Sequence, residues 1–193
     1  MSLKPKFKIS LVELGGGERQ LAGAALGDAR YREAVAPALA AASPDTILLL
    51  SFRGVEFATG SVFKATWHRL HPEGGVVVPS MVAHLSDDVR TEFAIYLKSE
   101  RVAGLEALDW GGDAITLATL HGHVEDAALS ALRAVTASPG ATAPQLQSES
   151  SEPVSATAWT NRLNELQRDG LAARERAGRA WRFFPLASEV RRG

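Results

Sequence analysis

The side chains with most chemistry to offer lie in the last quarter of the chain. Thr157, Thr160, Asn161, Asn164 and Arg168 recur at spacings of three and four, with Ser155 just ahead of them. Hydroxyls, amides and a guanidinium are the groups that hydrogen-bond base edges and phosphates. Arg174, Arg176, Arg179 and Arg182 follow within the next stretch. A guanidinium offers a planar fork to phosphate or guanine, which an ammonium does not. The expected chemistry is recognition of a polyanion, double-stranded DNA, rather than bond making.

Other groupings are weaker. His68, His71, His84, His121 and His123 invite a metal reading. His121 and His123 point one way on a strand but bracket a glycine, and neither cysteine nor an acidic cluster of ligand spacing accompanies them. No metal is expected. Gly15-Gly16-Gly17 lacks the Gly-Lys-Ser/Thr of a phosphate loop and reads as a turn. No Gly-x-Ser-x-Gly elbow is present, so a hydrolase triad has no support. Neither an enzyme nor a cofactor is expected.

The polar residues need a helix to carry them. Trp159, Leu163 and Leu166 follow i, i+4, i+7 and mark its buried stripe, with Ser155 as its cap. Thr157, Thr160, Asn161, Asn164 and Arg168 lie mainly opposite. Asp169-Gly170 stops the helix. Residues 171–176 and 179–184 then pair as a hairpin across Ala177-Gly178, with Trp181 and Phe183 on one face. Two helices are expected upstream, His123 to Ala137 and Thr142 to Ser148, with Pro144 in the first turn of the second.

Earlier in the chain, strands alternate with helices, which argues for a mixed sheet in an α/β layer. Residues 6–14 alternate, with Phe7, Ile9 and Leu11 on the apolar side. Asp28 to Ala42 is helical, kinked or split at Pro37. Thr46 to Phe52 is almost continuously apolar, as a strand covered on both faces is. Ser61 is positioned to cap the next helix. A strand starts at Val76-Val77-Val78. Ser86 caps another helix, with the stripe Val89, Phe93 and Leu97. Residues 105–109 and 114–120, broken at Gly111-Gly112-Asp113, read as a hairpin or two edge strands. The fold class is α+β, with a division into residues 1–121 and 122–193.

Composition sets the limits. The chain has 193 residues, net charge −1 and no cysteine. From Ser151 onward eight arginines face five acids, about +3, which leaves the remainder about −4. No apolar run approaches membrane-spanning length, so a cytoplasmic, soluble protein without a membrane partner is expected.

Two resemblances extend this reading. The order of elements, with Gly54-Val55-Glu56-Phe57 and Ser61 after the apolar strand, resembles the STAS-like fold of anti-sigma-factor antagonists. Ser51 stands where that pattern has an acid, and Thr59-Gly60-Ser61-Val62 stands for its Asp-Ser-Ser-Gly, so the chain is more similar to an uncharacterised STAS-like family with a Gly-Val-Glu-Phe strand end and an aromatic one helical turn in, here Phe63. The resemblance implies a regulatory or dimerisation domain with a protein partner, and Ser61 as a candidate phosphosite. Thr160 to Leu171, followed by basic residues and Phe183 to Leu186, resembles the winged helix-turn-helix of MarR-type bacterial regulators. That implies a prokaryotic transcription regulator, the helix in the major groove and the arginines on backbone or minor groove. Several phosphate contacts are needed for affinity, so a homodimer is expected. The competing reading is a switch of anti-sigma-factor-antagonist type, whose winged helix docks protein.

Overall fold

The computed structural model describes residues 7–71 and 78–193. The first strand, β1 (Lys8–Glu13), runs parallel to β3 (Thr46–Ser51). Between them come a two-residue strand β2 (Gln20–Leu21) and helices α1 (Ala24–Arg30) and α2 (Ala36–Ala40). The helices are joined by a wider turn over Tyr31–Val35. Pro37 explains that turn: lacking an N–H, it cannot continue the regular ladder, so the chain widens and restarts with proline in its first turn.

All six residues of β3 are buried. Alternate side chains explain it: Ile47 and Leu49 join one apolar cluster, Leu48 and Leu50 the other. On β1 the burial differs from expectation. Val12 is 4% exposed and joins the second of those clusters, whereas Leu11, on the opposite face of an edge strand, is 45% exposed.

A short strand β4 (Phe57–Ala58) pairs with β2 and leads into α3 (Gly60–Ala65). The cap of α3 is Thr59, not Ser61, which lies inside the first turn. Val76 and Val77, expected to open a strand, fall outside the described residues. The observed strand is β5 (Ser80–Ala83). Ser86 caps α4 (Asp87–Glu100) by accepting from the Val89 N–H, and Val89, Phe93, Tyr96 and Leu97 are its buried face. The expected hairpin follows as β6 (Ala103–Gly111) and β7 (Ala114–Gly122), with bulges around Asp109.

The chain then leaves the sheet for α5 (Asp126–Ala137), α6 (Ala143–Glu149), α7 (Ala156–Arg168) and the antiparallel pair β8 (Ala172–Ala177) and β9 (Ala180–Pro185). It comes back as β10 (Glu189–Arg192), parallel to β7. The sheet is mixed, in the order β1-β3-β5-β6-β7-β10. A division at residues 121 and 122 groups β10 with the C-terminal elements, whereas its hydrogen bonds place it in the first sheet.

The helices α1 to α4 cover one face of the sheet. On the other, Ile47, Met81, Leu105 and Leu120 belong to one continuous cluster with Leu132, Trp159, Leu163, Leu166 and Phe183. The C-terminal elements are thus a crossover connection lying on the sheet, sharing its core. No helix among the described residues is long and apolar enough to cross a membrane.

Candidate nucleic-acid interface

Helix α7 buries Trp159, Leu163 and Leu166, none more than 1% exposed. The i, i+4, i+7 stripe is therefore the packed side. Ser155 caps the helix by accepting from the Ala158 N–H at 3.2 Å, so its oxygen is engaged with backbone. Thr157, Thr160 and Asn161 are exposed along the N-terminal half. The Thr160 hydroxyl donates to the Ala156 carbonyl at 2.9 Å, which fixes its rotamer and leaves its lone pairs outward. Asn164 is half-buried and accepts from Arg174 at 3.0 Å, linking the helix to the hairpin.

Arg168 is placed differently. It sits in the last turn, paired with Glu165 at 3.3 Å and Asp169 at 3.2 Å. Asp169 and then Glu165 raise its pKa above the ordinary arginine value. Its guanidinium is already matched and faces a cleft toward Trp67, His68 and Arg101, away from the end capped by Ser155.

The hairpin turns on Gly178-Arg179, one residue later than the sequence suggested, because Ala177 pairs with Ala180. Gly178 has φ 63°, which a tight two-residue turn needs. Arg176 lies opposite Trp181 and Arg174 opposite Phe183. Phe183 is buried, but Trp181 is 39% exposed. Arg174 lies 4.4 Å and Arg176 5.6 Å from the centre of the Trp181 ring. The exposed indole therefore holds both arginines by cation–π attraction. Arg176 also donates to the Gly178 carbonyl at 3.3 Å. Arg179 is exposed at the tip, and Arg182 is half-buried opposite Glu175 on the other face.

The structure thus brings Thr157, Thr160, Asn161 and Asn164 together on α7, with Arg174 and Arg176 beside them through the Asn164 link. Arg168 and Arg182 lie apart from that group. Sequence reasoning placed Trp181 on one face with Phe183 and missed its contact with the arginines. The signal was in the residue type: an indole flanked across a hairpin by two arginines.

Two polar clusters on the sheet were also missed. Glu106, 2% exposed, accepts from Arg90 Nε at 3.0 Å and is bonded to His121 Nε2 at 2.9 Å. Burial pushes the Glu106 carboxyl up, but the bonds to His121 and Arg90 outweigh it and hold the group below the usual range. At the ends of the parallel strands, Arg53 lies 3.0 Å from His84 Nε2, His84 Nδ1 2.9 Å from Ser51 Oγ, and Ser51 donates to Glu13 at 2.7 Å. Ser51 is fully buried between its partners, so this chain of bonds ties three strands together and exposes no nucleophile. No group of three or more metal-ligating side chains occurs among the described residues. Ser61 is half-buried, with its hydroxyl 2.8 Å from that of Thr59. Searches against protein-family models, curated proteins and solved structures return no match to this chain.

Proposed function

We propose that the protein is a DNA-binding transcription regulator whose C-terminal elements act as a winged helix-turn-helix. The observation that carries the reading is the exposed face of α7, with hydroxyls and amides where a merely solvated helix would carry Glu and Lys, beside an arginine-lined hairpin. In this reading Thr157, Thr160 and Asn161 face base edges in the major groove. Arg174, Arg176 and Arg179 meet the phosphate backbone, and Arg182 lies at the margin. Arg168, already neutralised by Glu165 and Asp169, positions the end of α7 and contributes little to binding. The sheet and α1 to α4 act as a STAS-like regulatory or dimerisation domain.

The test is fluorescence anisotropy with a mixed-sequence duplex over a range of salt concentrations. Binding should weaken as salt rises. In the R176A/R179A double variant the slope of log K against log salt should fall by about 2, one for each lost phosphate contact. A chain that fails to retain duplex at any salt would sink the reading and favour a protein-docking role.

A further inference from the structure

Between α5 and the returning strand lies a cavity of about 310 Å³, at the small end of ligand-sized pockets. Its apolar wall is Leu120 of β7, Leu129 and Leu132 of α5 and Val190 of β10. Leu120 and Leu132 are buried, while Leu129 and Val190 are half-buried and form the mouth. The remaining lining includes Arg133, Arg191 and Arg192, and no acidic side chain. Arg191 is engaged by Glu189 at 2.7 Å. Arg133 and Arg192 are exposed and form no ion pair among the described residues.

An apolar slot whose rim carries two unmatched guanidiniums has the complementarity of an amphipathic anion. The slot removes a short hydrocarbon chain from water, and each buried methylene adds to the gain. Paired guanidinium forks suit a carboxylate better than a neutral or cationic head. A volume equal to the share of about ten water molecules admits a chain of medium length and not a full lipid tail.

We infer that the α5–β10 cavity binds a free medium-chain carboxylate, the chain between Leu129, Leu132 and Val190 and the head between Arg133 and Arg192. The site is separate from the polar face of α7 and does not rest on the duplex reading.

Isothermal titration of the full chain tests this, with sodium octanoate and octylammonium chloride as matched probes. Octanoate should bind saturably at one per chain, and octylammonium at least ten-fold more weakly. R133A/R192A should weaken octanoate at least ten-fold with an unchanged melting midpoint in the absence of probe, whereas R133K/R192K, which keeps the charge and loses the fork, should fall between that variant and the wild type. Leu129→Trp, which fills the slot and leaves both arginines, should abolish binding. Equal binding of the two probes, wild-type affinity in R133A/R192A, or no saturable octanoate binding would overturn the assignment. Flotation with phosphatidylglycerol vesicles but no octanoate binding would also overturn it, in favour of a membrane surface.

Discussion

Helices α4 and α7 follow the same plan up to the point where they meet solvent. Each is capped by a serine that accepts from the third N–H onward, Ser86 from Val89 and Ser155 from Ala158. Each buries a stripe of large side chains, Phe93 and Leu97 in one, Trp159 and Leu163 in the other. Each has a threonine hydroxyl turned back on its own backbone, Thr91 to Asp87 and Thr160 to Ala156. They differ on the outer face. On α4, Asp87, Arg90 and Glu100 are taken up in ion pairs with neighbours. On the first half of α7 the outer side chains are uncharged hydrogen-bonding groups. Burial sets where a helix sits, and the chemistry of the remaining face sets what it can meet.

The largest test of that comparison removes the shared part. Trp159→Ala and Phe93→Ala should each cost about 3–5 kcal/mol of unfolding free energy by urea denaturation. The apolar cluster around Trp159 runs into the sheet, so W159A should still unfold in one transition. Two resolved transitions would mean that the two halves are independent. The next test changes the outer faces alone. Asn161→Ala should weaken binding of a cognate duplex by roughly 1–3 kcal/mol without moving the melting midpoint, whereas Thr91→Ala on α4 should leave duplex affinity unchanged.

A third test concerns how the two helices end. Both stop in the left-handed conformation, α4 at Arg101 with φ 55° and α7 just beyond its end at Gly170 with φ 69°. At Arg101 a side chain is tolerated. At Gly170 a Cβ would strike the ring of His71, so only glycine allows this approach. Burial, then the neighbouring His68, pushes the His71 pKa down to about 4 from its ordinary 6.5. Between those values the unfolded chain takes up a proton that the folded chain refuses. The associated stability is complete above pH 6.5 and is lost toward pH 4, by about 1.4 kcal/mol per pH unit. Urea midpoints at pH 7, 6 and 5 should show the decline, and His71→Gln should flatten this contribution.

What could be read from the sequence was periodic and local. The α7 stripe, the doubly covered β3, the serine caps of α4 and α7, and the β6–β7 hairpin all follow from neighbours within one turn or one pleat. The missed features depend on pairings between distant segments. Glu106 and His121 meet because β6 and β7 pair with Gly104 opposite His121. Ser51, His84 and Glu13 meet because three parallel strands end at one level. A charged residue inside the apolar run of β6, and a serine closing β3, were the available hints. β10 was illegible for a similar reason: Glu189, Val190, Arg191 and Arg192 form a strand only because the edge of β7 is there to receive them.

That return has a practical meaning for anyone dissecting the molecule. A fragment cut after Gly122 exposes the raw flank of β7, and the complementary piece carries an orphaned four-residue ribbon seeking a mate. Unpaired flanks of this kind invite aggregation. Excising residues 123–188 instead would keep the scaffold's outermost rung but lay bare Ile47, Met81, Leu105 and Leu120, so the undivided chain is the unit to handle.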